Sequence, residues 1–336
     1  MERKELSVFE GEEAIKEFLN PENLPYPPLV ELPKRMNPYA ADGVRIFGKL
    51  MFLTPLLNLK SYPAFNMLQE AKVLGGLDGI ERLVESSSGN LVFSLGIIAR
   101  TFGITQTAAV VSRTIAKGKL DLLRLAGLTP FLADESETEG SNHKAAEMGE
   151  KEYWKHLNQY GNEANFQAHE KWLARQIDEQ AEGELGAVSA GLGSTGTIIG
   201  LSRYFRDRGT RTKVVGVIRQ VGQPVPGVRT DAQLREVTLR WQGAADYVAH
   251  VDSRESFAKS LELVRHGIMG GPSSGFALAG LLDFLGKAKS EEMLDELRDK
   301  NGEVKTVFIC GDTPLPYIND YFAVLGEEAF PEVREG

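Results

Sequence analysis

Apolar and polar positions along this chain switch between the period of a strand and that of a helix, and the switches mark its elements. VRIFGKLMFL, residues 44–53, carries the β-branched and aromatic side chains of a strand, which Pro55 ends. Pro63 then suits the first turn of a helix that continues with Phe65, Leu68 and Val73 near helical spacing. The same order recurs in ERLVE followed by LVFSLGIIARTFG, in TAAVVS followed by TIAKGKLDLLRLAG, and in GAVSAGLGSTG followed by TIIGLSRYFRDRG. KVVGVIR and TVFICGD add two strands. Such alternation predicts an α/β protein with parallel sheets covered by helices. Residues 134–172 are more polar, and are expected to cross between two lobes.

Composition narrows the class. A chain of 336 residues with 42% hydrophobic content and no repeat or low-complexity tract has enough material for a large core in two lobes. The net charge of -9, with both signs interspersed, argues against a nucleic-acid face or a membrane-seeking patch. The single cysteine, Cys310, excludes an intramolecular disulfide and reads as a buried strand residue in KTVFICGD. Five scattered histidines, with no His-x-x-x-His or Cys-x-x-Cys pair, give no recognisable metal site. The N-terminal stretch is charged and amphipathic without an apolar signal core, so a cytoplasmic protein is expected.

Against that background Lys60, in LNLKSYPAFN, stands out as a charge among apolar and small neighbours at a strand-to-helix junction. Most such lysines are solvated or snorkel along an apolar face. Three turns, each entering a helix, give it company. ESSSGN (85–90) offers hydroxyls and backbone N–H groups for a carboxylate or phosphate, or serves as a plain cap. AGLGSTGT (190–197) follows an apolar strand and suits a phosphate. Its Gly191, Gly193 and Gly196 also match the dinucleotide fingerprint; the next strand ends at Arg219, where a ribose phosphate would be met, so an NADP-dependent oxidoreductase is a second reading. GGPSSG (270–275) brings Ser273 and Ser274 to a helix start, as caps or as ligands. Turns of this kind converge at the carboxyl ends of parallel strands, where they and Lys60 would share one crevice.

Taken in chain order, these stretches resemble the fold-type II pyridoxal phosphate enzymes, specifically the cysteine synthase and cystathionine β-synthase group. TPLLNLK (54–60) is similar to the family's Asn-Pro-x-x-Ser-x-Lys, which makes Lys60 the Schiff-base lysine. ESSSGN resembles Glu-Ser-Thr-Ser-Gly-Asn, implying that Ser86, Ser87, Ser88 and Gly89 hold a substrate carboxylate and that Asn90 lies beside the cofactor's 3-hydroxyl. NQYGNEAN (158–165) is similar to Gln-[Phe/Tyr]-x-Asn-x-Ala-Asn. AGLGSTGTIIG resembles the family's phosphate cup, here Gly193, Ser194, Thr195, Gly196 and Thr197. GGPSSG resembles Gly-x-Ser-Ser-Gly, which puts Ser273 on the pyridine nitrogen. The resemblance runs from about Pro28 to about Asp312. It implies two three-layer α/β/α domains of tryptophan synthase β type with pyridoxal 5'-phosphate in the cleft between them. Residues 1–52 and 166–336 would form the larger cofactor-binding domain, and 53–165 the smaller mobile one.

Departures from the family's pattern occur at Thr54, Leu57, Asn58, Ser61, Tyr62, Leu91 and Thr195, and in GDTPLP near the C-terminus; they are expected to lie around the substrate pocket. The chemistry implied is β-replacement on an activated L-serine (O-acetylserine, phosphoserine or serine) through an aminoacrylate, with β-elimination as the alternative. Lys60, desolvated, would be both anchor and general base. A serine at the ring nitrogen would leave the ring unprotonated. Arg219 and Arg229 are the nearest partners for an acidic leaving group such as phosphate. A homodimer acting on an amino acid and a small nucleophile, without nucleic acid, membrane or metal, completes the expectation; a non-catalytic scaffold is the reading from another class.

Overall fold

The computed structural model describes residues 7–87, 89–133, 138–235 and 237–334. Its strands are β1 (Leu29–Glu31), β2 (Val44–Leu50), β3 (Arg82–Ser86), β4 (Gln106–Ser112), β5 (Thr129–Ala133), β6 (Trp154–His156), β7 (Ala187–Gly191), β8 (Lys213–Arg219), β9 (Tyr247–Val251) and β10 (Val304–Cys310). They form a six-stranded sheet in the order β1-β2-β10-β7-β8-β9 and a four-stranded sheet in the order β5-β4-β3-β6. Every pairing is parallel except β1 with β2.

Strands covered on both faces need apolar side chains on both, and β10, at the centre, reads VKTVFIC with only Lys305 incompletely buried. The 19-residue helix Pro272–Ser290 covers one face so closely that a Cβ on Gly280 would lie 2.3 Å from Val217 Cγ2. On the other face, the helices Ser61–Val73 and Gly196–Asp207 contribute to a second cluster with Trp172 and Phe205. The polar stretch 134–172 runs from helix Thr138–Gly149 through β6 into helix Glu163–Ala168, which packs on Gly196–Asp207. No helix among the described residues is long and apolar enough to cross a membrane.

Candidate active site

Lys60 is delivered by a turn between β2 and the helix Ser61–Val73. Asn58 fastens that turn: its Oδ1 accepts from the Lys60 N–H at 2.9 Å and from Ser94 Oγ at 3.2 Å. Its carbonyl accepts from Thr54 Oγ1 and from Ser61 Oγ, each at 3.0 Å. Leu59 N–H donates to Gly311 O at 2.7 Å, tying the turn to the end of β10. Tyr62 faces the core, edge-on to Trp172 and bonded to Gln176. Asn58, Ser61 and Tyr62 therefore do not line the cavity that Lys60 faces, and the expectation that they shape a substrate pocket is corrected. The polar atoms of Asn58 and Ser61 are occupied in holding the lysine turn, and the Tyr62 hydroxyl is taken by Gln176. Of the departing positions, Leu91, Thr195, Gly311 and Asp312 do line the cavity.

The cavity holds about 230 Å³ and is walled by the segments that follow β3, β7, β8 and β10, at the carboxyl ends of parallel strands. Lys60, Ser86, Ser87, Asn90, Gly193, Ser194, Thr195, Thr197, Arg219, Arg229 and Ser273 are all among the residues that line it. Lys60 keeps part of its surface open to this cavity, yet burial, and after it the charge of Lys119, pushes its amine down to about 8. Such an amine is neutral in a useful fraction of molecules near neutral pH.

The turn after β7 is shaped to take an oxyanion. Thr195 adopts φ 68, a left-handed conformation, at the entry to the 12-residue helix Gly196–Asp207. Its hydroxyl is buried without a hydrogen-bond partner, which leaves a donor waiting for one. Asn165 Nδ2 donates to Ser194 Oγ at 3.0 Å, so the serine can pass its own hydrogen on into the cavity. Thr197 Oγ1 lies 3.3 Å from Nε2 of the fully buried His169, whose imidazole burial holds well below its ordinary pKa and therefore neutral. A Cβ on Gly193 would sit 2.2 Å from Gly227 O. Neutral donors, backbone N–H groups and a helix start fit a phosphate monoester. Gly196 does not line the cavity; a Cβ there would meet Asn165 Oδ1 at 2.4 Å.

In the turn after β3, Ser86 Oγ donates to Ser141 Oγ at 3.2 Å and Ser87 Oγ accepts from the Gly89 N–H at 3.0 Å. Gly89 itself, at φ 125, is kept off the cavity wall, and a Cβ on it would lie 2.7 Å from Lys119 Cδ. Ser88 lies outside the described residues. The Arg229 guanidinium stacks 4.4 Å above the Tyr160 ring and donates to Gln233 O at 3.1 Å, while Arg219 donates to Gln233 Oε1 at 2.9 Å.

Sequence reasoning missed the most densely bonded group at the site. Asp312, 4% exposed, accepts at Oδ2 from Tyr317 Oη (2.6 Å) and Asn90 Nδ2 (2.7 Å), and at Oδ1 from Ser273 Oγ (3.3 Å). Lys119 Nζ stands 3.5 Å from Oδ2 and donates to Asn90 Oδ1 at 2.6 Å. Burial lowers the Lys119 pKa and the Asp312 carboxylate opposes that shift. One signal was available: Lys119 shares the buried face of helix Lys117–Leu125 with Leu123, four residues on, where a charge demands a partner.

Comparison with known proteins agrees with this architecture. The profile of the family described as "Pyridoxal-phosphate dependent enzyme" matches residues 26–294. Cysteine synthase B of Escherichia coli (strain K12) is 29% identical over 256 residues, covering 76% of this chain and 84% of that protein. The N-(2-amino-2-carboxyethyl)-L-glutamate synthase of Cupriavidus metallidurans is 29% identical over 272 residues, covering 76% and 77%. The crystal structure of the Entamoeba histolytica cysteine synthase superposes with a TM-score of 0.75 at 23% identity, covering 91% of this chain and 90% of that one, and shares its fold.

Proposed function

This chain belongs to the pyridoxal-phosphate dependent enzyme family, and from that membership we propose that it catalyses β-replacement: it exchanges the β-substituent of an activated L-serine for an incoming nucleophile. The observation that carries the proposal is the opening of Lys60 into the same cavity as the hydroxyl-lined cup Gly193–Thr197. The residues present fit the cofactor. Lys60 would hold it covalently, the cup would take its phosphate, Asn90 would meet the 3-hydroxyl, and Ser273 the ring nitrogen.

When bound, pyridoxal phosphate supplies an electron sink for the bonds at the substrate's Cα. The protein does the rest. Lys60, neutral in part because its pKa is near 8, supplies a nucleophilic amine for anchoring and, once released, a base placed to take the Cα proton. Ser86 and Ser87, with the N–H groups of their turn, would grip the substrate carboxylate. Arg219 and Arg229, which line the same cavity, suit an anionic leaving group or an acidic nucleophile. We read residues 53–165 as the smaller lobe that closes over substrate, residues 1–52 and 166–336 as the larger one, and a cytoplasmic homodimer as the working state. An oxidoreductase reading of Gly191, Gly193 and Gly196 gives Lys60 no role.

The test is direct. Reconstituted protein should be yellow, and borohydride reduction followed by peptide mass spectrometry should place the cofactor on Lys60. O-acetyl-L-serine, O-phospho-L-serine or L-serine should then change its absorption, and a supplied nucleophile should appear in a new amino acid rather than a keto acid being released. Lys60→Ala should lose about a thousandfold or more in turnover, the scale of a lost base and nucleophile together. A colourless protein would sink the proposal, and release of keto acid alone would replace it with β-elimination.

A further inference from the structure

The hydroxyl of Ser273 has a carboxylate oxygen within reach of its only hydrogen. Ser273 Oγ donates to Asp312 Oδ1 at 3.3 Å, and Asp312 takes three more donors at Oδ2, from Tyr317, Asn90 and Lys119. Burial holds the Tyr317 phenol far above its ordinary pKa, so it remains a donor. A carboxylate receiving donors at both oxygens has no hydrogen to return. The negative charge also lies at the positive end of helix Pro272–Ser290, where a Cβ on Gly271 would come 2.6 Å from Oδ1. Ser273 therefore turns only lone pairs toward the cavity it lines.

The Asn90 side has the opposite polarity. Asn90 Oδ1 is occupied by Lys119 Nζ at 2.6 Å and one Nδ2 hydrogen by Asp312 at 2.7 Å. Asn90 lines the cavity and keeps one Nδ2–H for it, while the Lys119 charge stands behind its oxygen. An acceptor at Ser273 and a donor at Asn90 complement a ring that carries a proton on its nitrogen and negative charge on its 3-oxygen.

We propose that Asp312 is a positioning residue which, by taking the Ser273 hydrogen, makes the site select the ring-protonated form of its cofactor, the proton coming from solvent. This rests on the assignment of Ser273 to the ring nitrogen and of Asn90 to the 3-hydroxyl made above. It reverses what a serine alone at that position implies, and it gives the site a stronger electron sink than an unassisted hydroxyl would.

The experiment is a nitrogen NMR measurement on holoenzyme loaded with pyridoxal phosphate carrying ¹⁵N in its ring. At neutral pH the wild-type resonance is expected at the pyridinium position. Asp312→Asn can donate an N–H to Ser273 Oγ and free the hydroxyl hydrogen for the cavity, so its resonance should move to the pyridine position. Ser273→Ala, which keeps the bonds of Asp312 to Asn90, Lys119 and Tyr317, should move it likewise and carries the comparison if D312N does not load. A wild-type resonance at the pyridine position overturns the proposal, as does a pyridinium resonance retained in either variant. Borohydride labelling of Lys60 in the same samples separates the two readings: without that label it is the proposed function that fails.

Discussion

Two parts of the cavity wall are built on opposite plans. The cup is one contiguous turn, Gly193 to Thr197, that offers backbone groups and neutral hydroxyls at the start of a single helix. The Asp312 cluster gathers charged and polar side chains from four separated stretches: Asn90 after β3, Lys119 after β4, Ser273 at the start of Pro272–Ser290, and Asp312 with Tyr317 after β10. Two of those stretches follow strands of the four-stranded sheet and one follows the central strand of the other sheet. Close packing supports the crossing, since a Cβ on Gly118 would fall 2.5 Å from Pro316 O. The ligand groups of the cup come from one turn, whereas the cluster exists only while the two sheets are held together.

The sharpest way to break that contrast is Lys119→Met. Removing one member of a buried pair costs about 3–5 kcal/mol because the remaining charge stays desolvated. Asp312 keeps Tyr317 and Asn90 as donors, which places the expected loss at about 3 kcal/mol, the lower end of that range. Chemical denaturation of the apoprotein checks it. A midpoint unchanged within error would mean that the cluster contributes no more than an exposed ion pair, and that the sheets are joined by apolar packing alone.

Gly193→Ala tests the other part, with a smaller effect. The new methyl would sit 2.2 Å from Gly227 O, a backbone atom that can move only with its loop. Overpacking of this sort costs about 1–3 kcal/mol. The cost should appear as a loss of roughly tenfold or more in cofactor affinity, measured by fluorescence titration of the apoprotein, because the cup must deform to accept the methyl. Denaturation of the apoprotein should change less than in Lys119→Met. If the two variants rank the other way in apoprotein stability, the cup, and not the cluster, is the element on which the fold depends.

The same contrast explains what could be read from the residues. The strands β2, β3, β4, β7, β8 and β10 and the helices that follow most of them were legible, because buried parallel strands announce themselves as short apolar runs between turns. The short or partly polar β1, β5, β6 and β9 were not, since TPFLA and WKH become strands only through their neighbours in the sheet. Lys60, the stretch Gly193–Thr197 and Ser273 stood out as motifs, each within a few residues. Asp312 passed as a departure from a pattern and Lys119 went unnoticed, because their meaning lies in a contact across 193 positions of sequence, and only a tertiary structure brings them within 3.5 Å. Asn58 and Tyr62 misled for the converse reason: proximity in sequence to Lys60 was taken for proximity to its chemistry, yet one fastens the turn and the other fills the core.

The smallest expected effect joins both parts through Lys60. Its amine sits near 8 instead of 10.5, first because it is desolvated and second because the Lys119 ammonium repels its charge. The folded chain thus binds that proton less readily than the unfolded chain. From this group the apoprotein gains stability as pH rises from about 8 to 10.5, and carries the full penalty below 8. The reactive neutral form follows the same sign. The rate of covalent loading should rise about tenfold per unit as pH increases toward the Lys60 pKa and level off above it. Stopped-flow absorption with mass-spectrometric localisation of the reduced adduct measures this, and separates Lys60 from Lys49, whose amine is also lowered, to about 7, but is committed to Pro27 O and Gln180 Oε1. In Lys119→Met the levelling point should move upward, since the second cause is gone and the first remains. A levelling point that stays put would mean that desolvation alone sets the lysine, and that the cluster stands beside the reacting amine without governing it.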